Sequence, residues 1–482
     1  MRKESVKKNY IYNMLYQLLV IIIPIITTPY IARRLGADGN GIYGYTISIV
    51  TYFILFGSLG ISLYGQREIA YYQNDKEKRS SIFWELFIIR LITMLISAIL
   101  FYLIFCLNGY YAIYYRILLI EMLANVLDIS WFFQGMEDFK KIVIRNFIIK
   151  IISVICILFF IKGPDDVNIY LLIYVLSTLF GSLSLWISIF KYIGKTNKLE
   201  FKKHIPLIMS LFIPQIAIQI YTVVDKTMIG NMLNDMAEVG YYEQAQKISK
   251  LLLTVITSLG TVMIPRMAFT YKKKDYDKLF YYMKKTINFV WLLGCAITFG
   301  LIAVAPEFVP LFFGDGYEPV VNLLYVFSFI VLAIGINNVI GMQYLIPTKK
   351  EKYFTISVVS AAIFNFIFNI FMIKFIGTIG AAIASVLAET FIIFIQLYFI
   401  RKEFQVSYVF KIGIKYIIFG CIMLCVSQFI GSFFNGNLLK IFVKIIVGGI
   451  IYISLLLISK DCLIYELINS YINKIKRKFI KG

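Results

Sequence analysis

The sequence predicts an all-α integral membrane protein with about 14 transmembrane helices, arranged as two six-helix lobes followed by two further helices. Three observations support this fold class. The chain has 482 residues, of which 60% are hydrophobic and only 16% are Asp, Glu, Lys or Arg, whereas a typical soluble domain has roughly 25% charged residues. Apolar runs of about 20 residues, the length that one helix needs to cross a bilayer, recur along the chain. Short loops rich in Lys and Arg separate these runs.

The apolar runs give the position of each predicted helix. The first run follows a basic N-terminal segment, as in a signal peptide. It is too long for one and has no small-residue cleavage site, so we expect it to remain as a membrane helix. No loop is long enough to hold a soluble domain. In chain order, the predicted spans lie near residues 10–33, 40–63, 83–107, 111–133, 142–161, 168–190, 205–229, 240–266, 287–313, 320–346, 353–373, 378–400, 412–431 and 438–459.

The basic residues between the spans predict the orientation of the chain. The formal net charge is +21, from 48 Lys and Arg against 27 Asp and Glu. With the N-terminus inside, 34 of the 48 basic residues fall in inside segments and 4 in outside loops. Basic residues collect on the cytoplasmic side of membrane proteins, so we expect both termini to be cytoplasmic. The excess charge indicates topology, and no nucleic acid is expected as a partner.

An internal repeat divides the predicted helices. Gly41-Ile42-Tyr43 follows the first span, and Gly240-Tyr241-Tyr242 stands at the same place after the seventh. Because six spans separate the two motifs, the two halves have the same orientation, as in transporters built from parallel repeats about an axis normal to the membrane. The predicted parts are an N-terminal lobe (1–200), a C-terminal lobe (201–403), and an extra helix pair with a basic cytoplasmic tail (404–482).

Polar side chains form stripes on the seventh and eighth predicted helices. Charge inside a span is costly and usually faces a bundle interior or a wet cavity. Residues three or four apart lie on one face of a helix, so these stripes predict a substrate-binding cavity. A hydrogen-bonded seam between helices is the structural alternative. The predicted cavity residues are Lys226, Gln215 and Gln219 in the seventh span, and Lys247, Lys250, Thr254 and Thr257 in the eighth.

Carboxylates within the spans are candidates for coupling transport to an H⁺ or Na⁺ gradient. A structural ion pair between Lys150 and a carboxylate of the fourth span is the alternative for that part of the chain. Basic residues near helix ends, Lys415 and Lys444 among them, are expected to extend toward the interface. The candidate coupling residues are Asp225, Glu389, Glu121 and Asp128.

The cysteines and the single histidine predict neither a metal site nor catalytic residues. Five of the six Cys fall inside apolar runs, and His204 lies in a basic loop. No Cys/His cluster has the spacing of a zinc site. The outer loops reach only about ten residues and hold no Ser/His/Asp set, which argues against a membrane polymerase or ligase. Apart from a coupling ion, no cofactor is expected.

Several short motifs carry a resemblance to a known family. With them, the chain resembles the bacterial polysaccharide repeat-unit (O-antigen and capsule) flippases. That family is related to lipid II flippases and to multidrug and toxic compound extrusion transporters, within the multidrug/oligosaccharidyl-lipid/polysaccharide exporter superfamily. The matching stretches are 34–43, 131–139 (WFFQGMEDF, the most specific), 214–230, 240–248, 265–266, 365–369 and 380–382.

The resemblance implies two lobes around a central cavity that opens alternately to each side, and transport instead of catalysis. In lipid II flippases a basic residue lies in the eighth helix, and Lys247 matches it. Their first-helix arginines have no counterpart in this chain, which favours a lipid-linked sugar other than lipid II.

The implied substrate is an undecaprenyl-pyrophosphate-linked oligosaccharide, flipped across the bacterial cytoplasmic membrane for surface polysaccharide synthesis. Membrane lipids, a polysaccharide polymerase and a chain-length regulator are the implied partners. The alternatives are a cation-coupled multidrug exporter on the same fold and a membrane scaffold without transport activity.

Overall fold

The computed structural model describes residues 3–194, 196 and 199–466. Every regular element within this part of the chain is a helix, so the predicted fold class is confirmed. Packing divides the chain into two compact units, Met1–Glu243 and Gln244–Gly482. The lobe boundaries at residues 200 and 403 derive from the repeat, not from packing, and stay predictions. The basic tail after residue 466 lies outside the described residues.

The first unit holds eight helices and the start of a ninth. A π-helical turn, Tyr102–Cys106, extends the third helix, and a 3₁₀ turn, Pro164–Asp166, precedes the seventh. The helices are α1 (Lys3–Ser58), α2 (Ile61–Tyr71), α3 (Lys76–Phe101), α4 (Ala112–Leu127), α5 (Ser130–Gly135), α6 (Phe139–Phe160), α7 (Val167–Ile189), α8 (Ile205–Leu233) and the first part of α9 (Met236–Lys272).

In its described residues, the second unit holds the rest of α9, five further long helices and a short helical turn over residues 462–466. A π-helical segment, Val339–Leu345, extends α11. The helices are α10 (Tyr276–Phe313), α11 (Pro319–Asn338), α12 (Glu351–Ile400), α13 (Val406–Gly431) and α14 (Asn437–Ile458). α3 and α10 begin alike, because Asp75 and Asp275 each accept a hydrogen bond from a backbone N–H of the first turn, at 3.0 and 3.1 Å. Such N-caps satisfy donors that a helix start leaves without a partner.

Glycines interrupt the two longest helices. Gly36 in α1 has φ 70° and ψ −177°, and Gly377 in α12 has φ 62° and ψ −145°, a backbone region that is essentially restricted to glycine. The chain reverses at Gly377, because a Cβ on Gly380 would lie 2.1 Å from the carbonyl oxygen of Met372. In an unbroken helix these residues would be about 12 Å apart. α12 is therefore a helical hairpin with a very tight turn.

Eleven helical segments of the described chain are long and apolar enough to cross a membrane. Two of them, Ile22–Tyr71 and Glu351–Ile400, have 50 residues each, which is roughly 75 Å of helix against about 30 Å of hydrocarbon. Each of these two contains a glycine interruption and covers two predicted spans. All the predicted spans coincide with helical residues, while the exact number of crossings stays a prediction.

The WFFQG motif builds the core of the first unit. Trp131, Phe132 and Phe133 are almost fully buried. Phe132 contacts Phe83 of α3 edge-on, with ring centroids 5.5 Å apart. A Cβ on Gly65 would lie 2.5 Å from the Trp131 ring, so α2 packs directly against α5. The most family-specific motif in the sequence therefore serves helix packing.

Close contacts between α10 and α13 build the core of the second unit. A Cβ on Gly413 would lie 2.5 Å from the Trp291 ring, and one on Gly420 would lie 2.1 Å from Phe299. The indole Nε1 of Trp291 donates a hydrogen bond to the carbonyl of Val409 at 2.9 Å. Small residues let membrane helices approach this closely and gain dispersion contacts.

Candidate functional site

The predicted polar stripe on α9 presents ammonium and hydroxyl groups. Lys250 is exposed, and its Nζ donates to Oε1 of Gln246 at 2.9 Å; Lys247 is half-buried. The hydroxyls of Thr254 and Thr257 donate to carbonyls of their own helix at 2.6 and 3.1 Å. Each hydroxyl therefore donates its proton within the helix, and its oxygen can still accept a hydrogen bond from a ligand.

The α8 stripe runs from exposed amides to a buried ammonium group. Gln219 is exposed and Gln215 is half-buried, whereas Lys226 is only 7% exposed. Nζ of Lys226 lies 2.8 Å from Oε2 of Glu243 on α9, which is itself 8% exposed. Lys226 is thus engaged in a buried ion pair that joins α8 to α9.

Asp225 serves the same junction. It is 3% exposed, and its carboxylate accepts a hydrogen bond from the hydroxyl of the fully buried Tyr242. Two neighbouring residues of α8 therefore contact two neighbouring residues of α9. Asp225 is thus a buried carboxylate at the α8–α9 junction and stays a candidate for ion coupling.

The glycines of the two repeat motifs lie against each other. A Cβ on Gly41 would be 1.6 Å from the carbonyl oxygen of Met236, and one on Gly240 would be 2.1 Å from that of Ala37. Each such Cβ would also approach the backbone nitrogen of the other glycine to 3.1 Å. Glycine is required on both helices for this backbone contact. The repeat that the sequence reveals thus marks a helix crossing between α1 and α9.

A polar cavity of about 340 Å³ lies between α4, α6 and α7 and contains Glu121, Asp128 and Lys150. The hydroxyl of Thr178 donates to Glu121, which is 8% exposed. Asp128 accepts a hydrogen bond from the N–H of Ser130, the first residue of α5, at 3.0 Å, and lies 3.5 Å from Nη1 of Arg145. Two of the four carboxylates predicted for ion coupling, Glu121 and Asp128, therefore line one cavity, with Lys150 in its wall.

Arg90 is a buried charged residue beside the polar cavity residues Asn125 and Asp128, and it is not among the predicted site residues. It lies within α3 and is 3% exposed, yet its guanidinium donates to the carbonyl of Asp128 at 3.0 Å and to Oδ1 of Asn125 at 2.8 Å. These acceptors lie at the break between α4 and α5. Arg90 thus satisfies backbone that the interrupted helix would otherwise leave unpaired in the membrane. An arginine well inside an apolar run was the available signal.

Glu389 belongs to a buried polar layer in the second unit. It is 5% exposed, and Nδ2 of Asn337 donates to its Oε2 at 2.8 Å. Asn365 and Asn369 of α12 are fully buried and hydrogen-bonded to each other at 3.2 Å. In the described part of the chain, no group of three or more His, Cys, Asp and Glu side chains is placed to hold a metal ion.

Two lysines that are expected to extend toward the interface form ion pairs. Lys444 is 4% exposed, and its Nζ lies 2.7 Å from the carboxylate of Glu307 and 2.9 Å from the carbonyl of Ala303 on α10. Lys415 pairs with Asp461 at 2.6 Å. The expectation was wrong for Lys444, because it is buried beside an acidic partner that is distant in sequence but adjacent in the fold. Lys415 is 28% exposed and its partner lies just beyond the end of α14, so its interface position stays a prediction.

A large apolar groove runs along α9, α10, α13 and α14 in the second unit. Its volume is about 1550 Å³. Ile248, Leu252 and Leu259 give it the apolar face of α9, which lies roughly opposite the face that carries Lys247 and Lys250. Apolar side chains of α10 and α14 complete the walls. The sequence does not reveal the groove, because its lining has the same composition as a lipid-facing helix surface.

Two family models match the sequence. The model described as polysaccharide biosynthesis protein matches residues 6–271, and that of the lipid II flippase MurJ matches residues 147–448. Each covers more than half of the chain. A protein of Escherichia coli (strain K12) that is named as an O-antigen transporter is 24% identical over 408 residues, which are 83% of this chain and 98% of the relative.

Solved structures share the fold. The lipid II flippase MurJ in an inward closed conformation superposes with a TM-score of 0.72 at 17% identity, over 94% of this chain and all of that chain. An inward-facing multidrug resistance MATE family transporter gives a TM-score of 0.61 at 14% identity, over 82% of this chain and 96% of that chain. The chain therefore belongs to the polysaccharide biosynthesis protein family, and the lipid II flippase model matches it as well.

Proposed function

We propose that the chain flips an undecaprenyl-pyrophosphate-linked oligosaccharide from the inner to the outer leaflet of the bacterial cytoplasmic membrane. One observation carries this proposal. α9 presents Lys247 and Lys250 on one face and borders a long apolar groove with another. A lipid-linked sugar needs both, because its pyrophosphate is anionic and its polyprenyl tail is apolar. Family membership and the O-antigen transporter relative support the same substrate class.

Each part of the substrate has a chemical counterpart in the second unit. Ammonium groups make strong charge-assisted hydrogen bonds to phosphate oxygens, and Lys247 and Lys250 supply them. Hydroxyls of Thr254 and Thr257 replace water around the sugar. The groove accepts isoprene units without exposing them to the polar headgroup region. Gln215 and Gln219 on α8, in the first unit, stay predicted sugar-binding residues.

Membrane topology follows from the positive-inside distribution, with both termini in the cytoplasm. The glycan chemistry implies enzymes on either side of this step. Glycosyltransferases must supply the lipid-linked repeat unit, and a polymerase with a chain-length regulator would consume it. A multidrug exporter shares the fold, but a cationic drug would be repelled by the basic face of α9.

Coupling to an H⁺ or Na⁺ gradient is a further part of the proposal. Asp225, Glu121 and Glu389 each accept a hydrogen bond from a neutral side chain, whereas Asp128 faces Arg145. Transport in vesicles should fall when a proton or a sodium ionophore is added, and the ionophore that acts identifies the ion.

The test in cells uses a bacterial host whose surface polysaccharide depends on this chain. We expect the double variant K247A/K250A to lose surface polysaccharide while it reaches the membrane in normal amount. The matched control is K284A, a lysine of α10 whose Nζ lies over the Tyr408 ring at 5.2 Å. Normal surface polysaccharide in the double variant would contradict the assignment of Lys247 and Lys250 to substrate binding.

A further inference from the structure

The segment after α14 is fixed to the N-terminal half of α13. Asp461 is 3% exposed, and its carboxylate accepts from Nζ of Lys415 at 2.6 Å and from the hydroxyl of Tyr416 at 2.8 Å. It also accepts from the backbone N–H of Leu463 at 3.1 Å. This anchor places the short helical turn that follows, which ends the described chain at Glu466.

Glu466 reaches back to α10. Its carboxylate forms an ion pair with Lys285 and lies 3.5 Å from the hydroxyl of Tyr281. Both side chains of the ion pair are 42% exposed. Ion pairs with this exposure contribute little to stability, so an anion with better geometry can take the place of the carboxylate.

This ion pair lies at one end of the apolar groove. Arg266, Tyr281, Lys285 and Glu466 all line the groove. The other charged side chain in the lining is Lys444, which is already paired with Glu307. Among the described lining residues, this end carries one net positive charge with Glu466 in place and two without it. The groove therefore combines a long apolar channel with a cationic end, which is complementary to an anionic lipid with one long tail.

We propose that Lys285, Tyr281 and Arg266 form a phosphate site for a polyprenyl phosphate lipid lying in the groove, and that Glu466 occupies this site until the lipid displaces it. The identity of the lipid rests on the proposed function, whereas the exchange of carboxylate for phosphate rests on the contacts above. The site would hold the lipid before or after its headgroup contacts Lys247 and Lys250. Glu466 is then a built-in competitor of the substrate.

The test is binding of undecaprenyl phosphate to the full chain in nanodiscs, measured by native mass spectrometry. E466Q removes the competitor and should raise the affinity by up to about fivefold, the limit expected from an exposed ion pair. K285Q should lower it by about tenfold or more, since a charge-assisted hydrogen bond is lost. D461N frees the anchor and should act like E466Q. K284Q is the matched control and should bind like the wild type.

Three results would overturn the inference. Unchanged affinity in E466Q and K285Q would make the ion pair a purely structural contact. Equal binding of undecaprenol would remove the phosphate site, and equal binding of phosphatidylglycerol would make the occupant a bulk lipid. Transport is measured separately on the wild type. If the wild type transports its substrate but the affinity for undecaprenyl phosphate does not shift in opposite directions in E466Q and K285Q, only this inference fails. If the affinities shift as expected but the wild type does not transport, only the proposed function fails.

Discussion

The ion pair between Lys226 and Glu243 lets one experiment decide whether Lys226 stabilises the fold or binds the substrate. We consider K226M, which keeps the apolar stem of the side chain and removes its charge. The two side chains are 9% and 10% exposed, and their charged atoms are 2.8 Å apart. Removing one member of a buried pair leaves an uncompensated charge and costs about 3–5 kcal/mol. K226M should therefore be strongly destabilised.

The size of the stability loss in K226M follows from the cost of leaving a buried charge without a partner, and a second substitution checks it. In the double variant K226M/E243Q both charges are gone, so most of the lost stability should return. The exposed Lys250 supplies the control, since K250M removes a lysine of the adjacent helix without breaking a buried ion pair and should change stability by less than about 1 kcal/mol.

The assay is thermal unfolding of the purified variants in one mild detergent, combined with transport. If K226M is as stable as the wild type and the double variant gains nothing, the buried-pair reasoning is refuted. If K226M is stable but loses transport, Lys226 contacts the substrate, as the sequence analysis predicted.

Further predictions concern packing, a second ion pair and pH. Replacing Gly240 by Ala should lower the free energy of unfolding by about 1–3 kcal/mol through overpacking. The control is Gly449→Ala, which should be neutral in the same unfolding assay because the added Cβ would meet nothing within 4 Å. K444M should lower the melting temperature, and an equally low value for K444M combined with E307Q would contradict a buried pair. Burial favours a raised pKa for Asp461, but hydrogen bonds from Lys415 and Tyr416 outweigh it and hold the pKa below its usual value. The stability from Asp461 is thus present above its unfolded pKa of about 3.9 and is lost as the pH falls through the lower folded value. Acid titration of unfolding should show this loss in the wild type but not in D461N.

Sequence reasoning identified the helices and the stripes because both follow from local periodicity. It could not assign Lys226 a partner, since the ion pair forms only when the α8–α9 hairpin brings together residues 17 positions apart. The same limit applies to Lys444, whose partner Glu307 lies 137 positions away. Membrane depth alone suggested an interface position for Lys444. Long-range pairing changed this assignment.

The repeat and the groove differ in how much of each the sequence predicts. Gly41 and Gly240 were visible as a repeated motif, but only the fold shows that the two glycines lie against each other. The groove had no sequence signal, because lining a groove and facing lipid require the same apolar residues. Burial differs between these two surfaces, and burial depends on how α9, α10, α13 and α14 pack.

The central claim is that the α9 lysines bind the headgroup of a lipid-linked oligosaccharide during flipping. The most direct measurement is reconstitution of the purified chain into vesicles with a labelled undecaprenyl-pyrophosphate oligosaccharide. Exposure of the label to a membrane-impermeant reagent then reports the flipping rate. We predict flipping by the wild type and by K284Q, and a rate at least about tenfold lower for K247Q/K250Q, since two charge-assisted contacts are lost. Flipping by K247Q/K250Q at the wild-type rate would contradict the account.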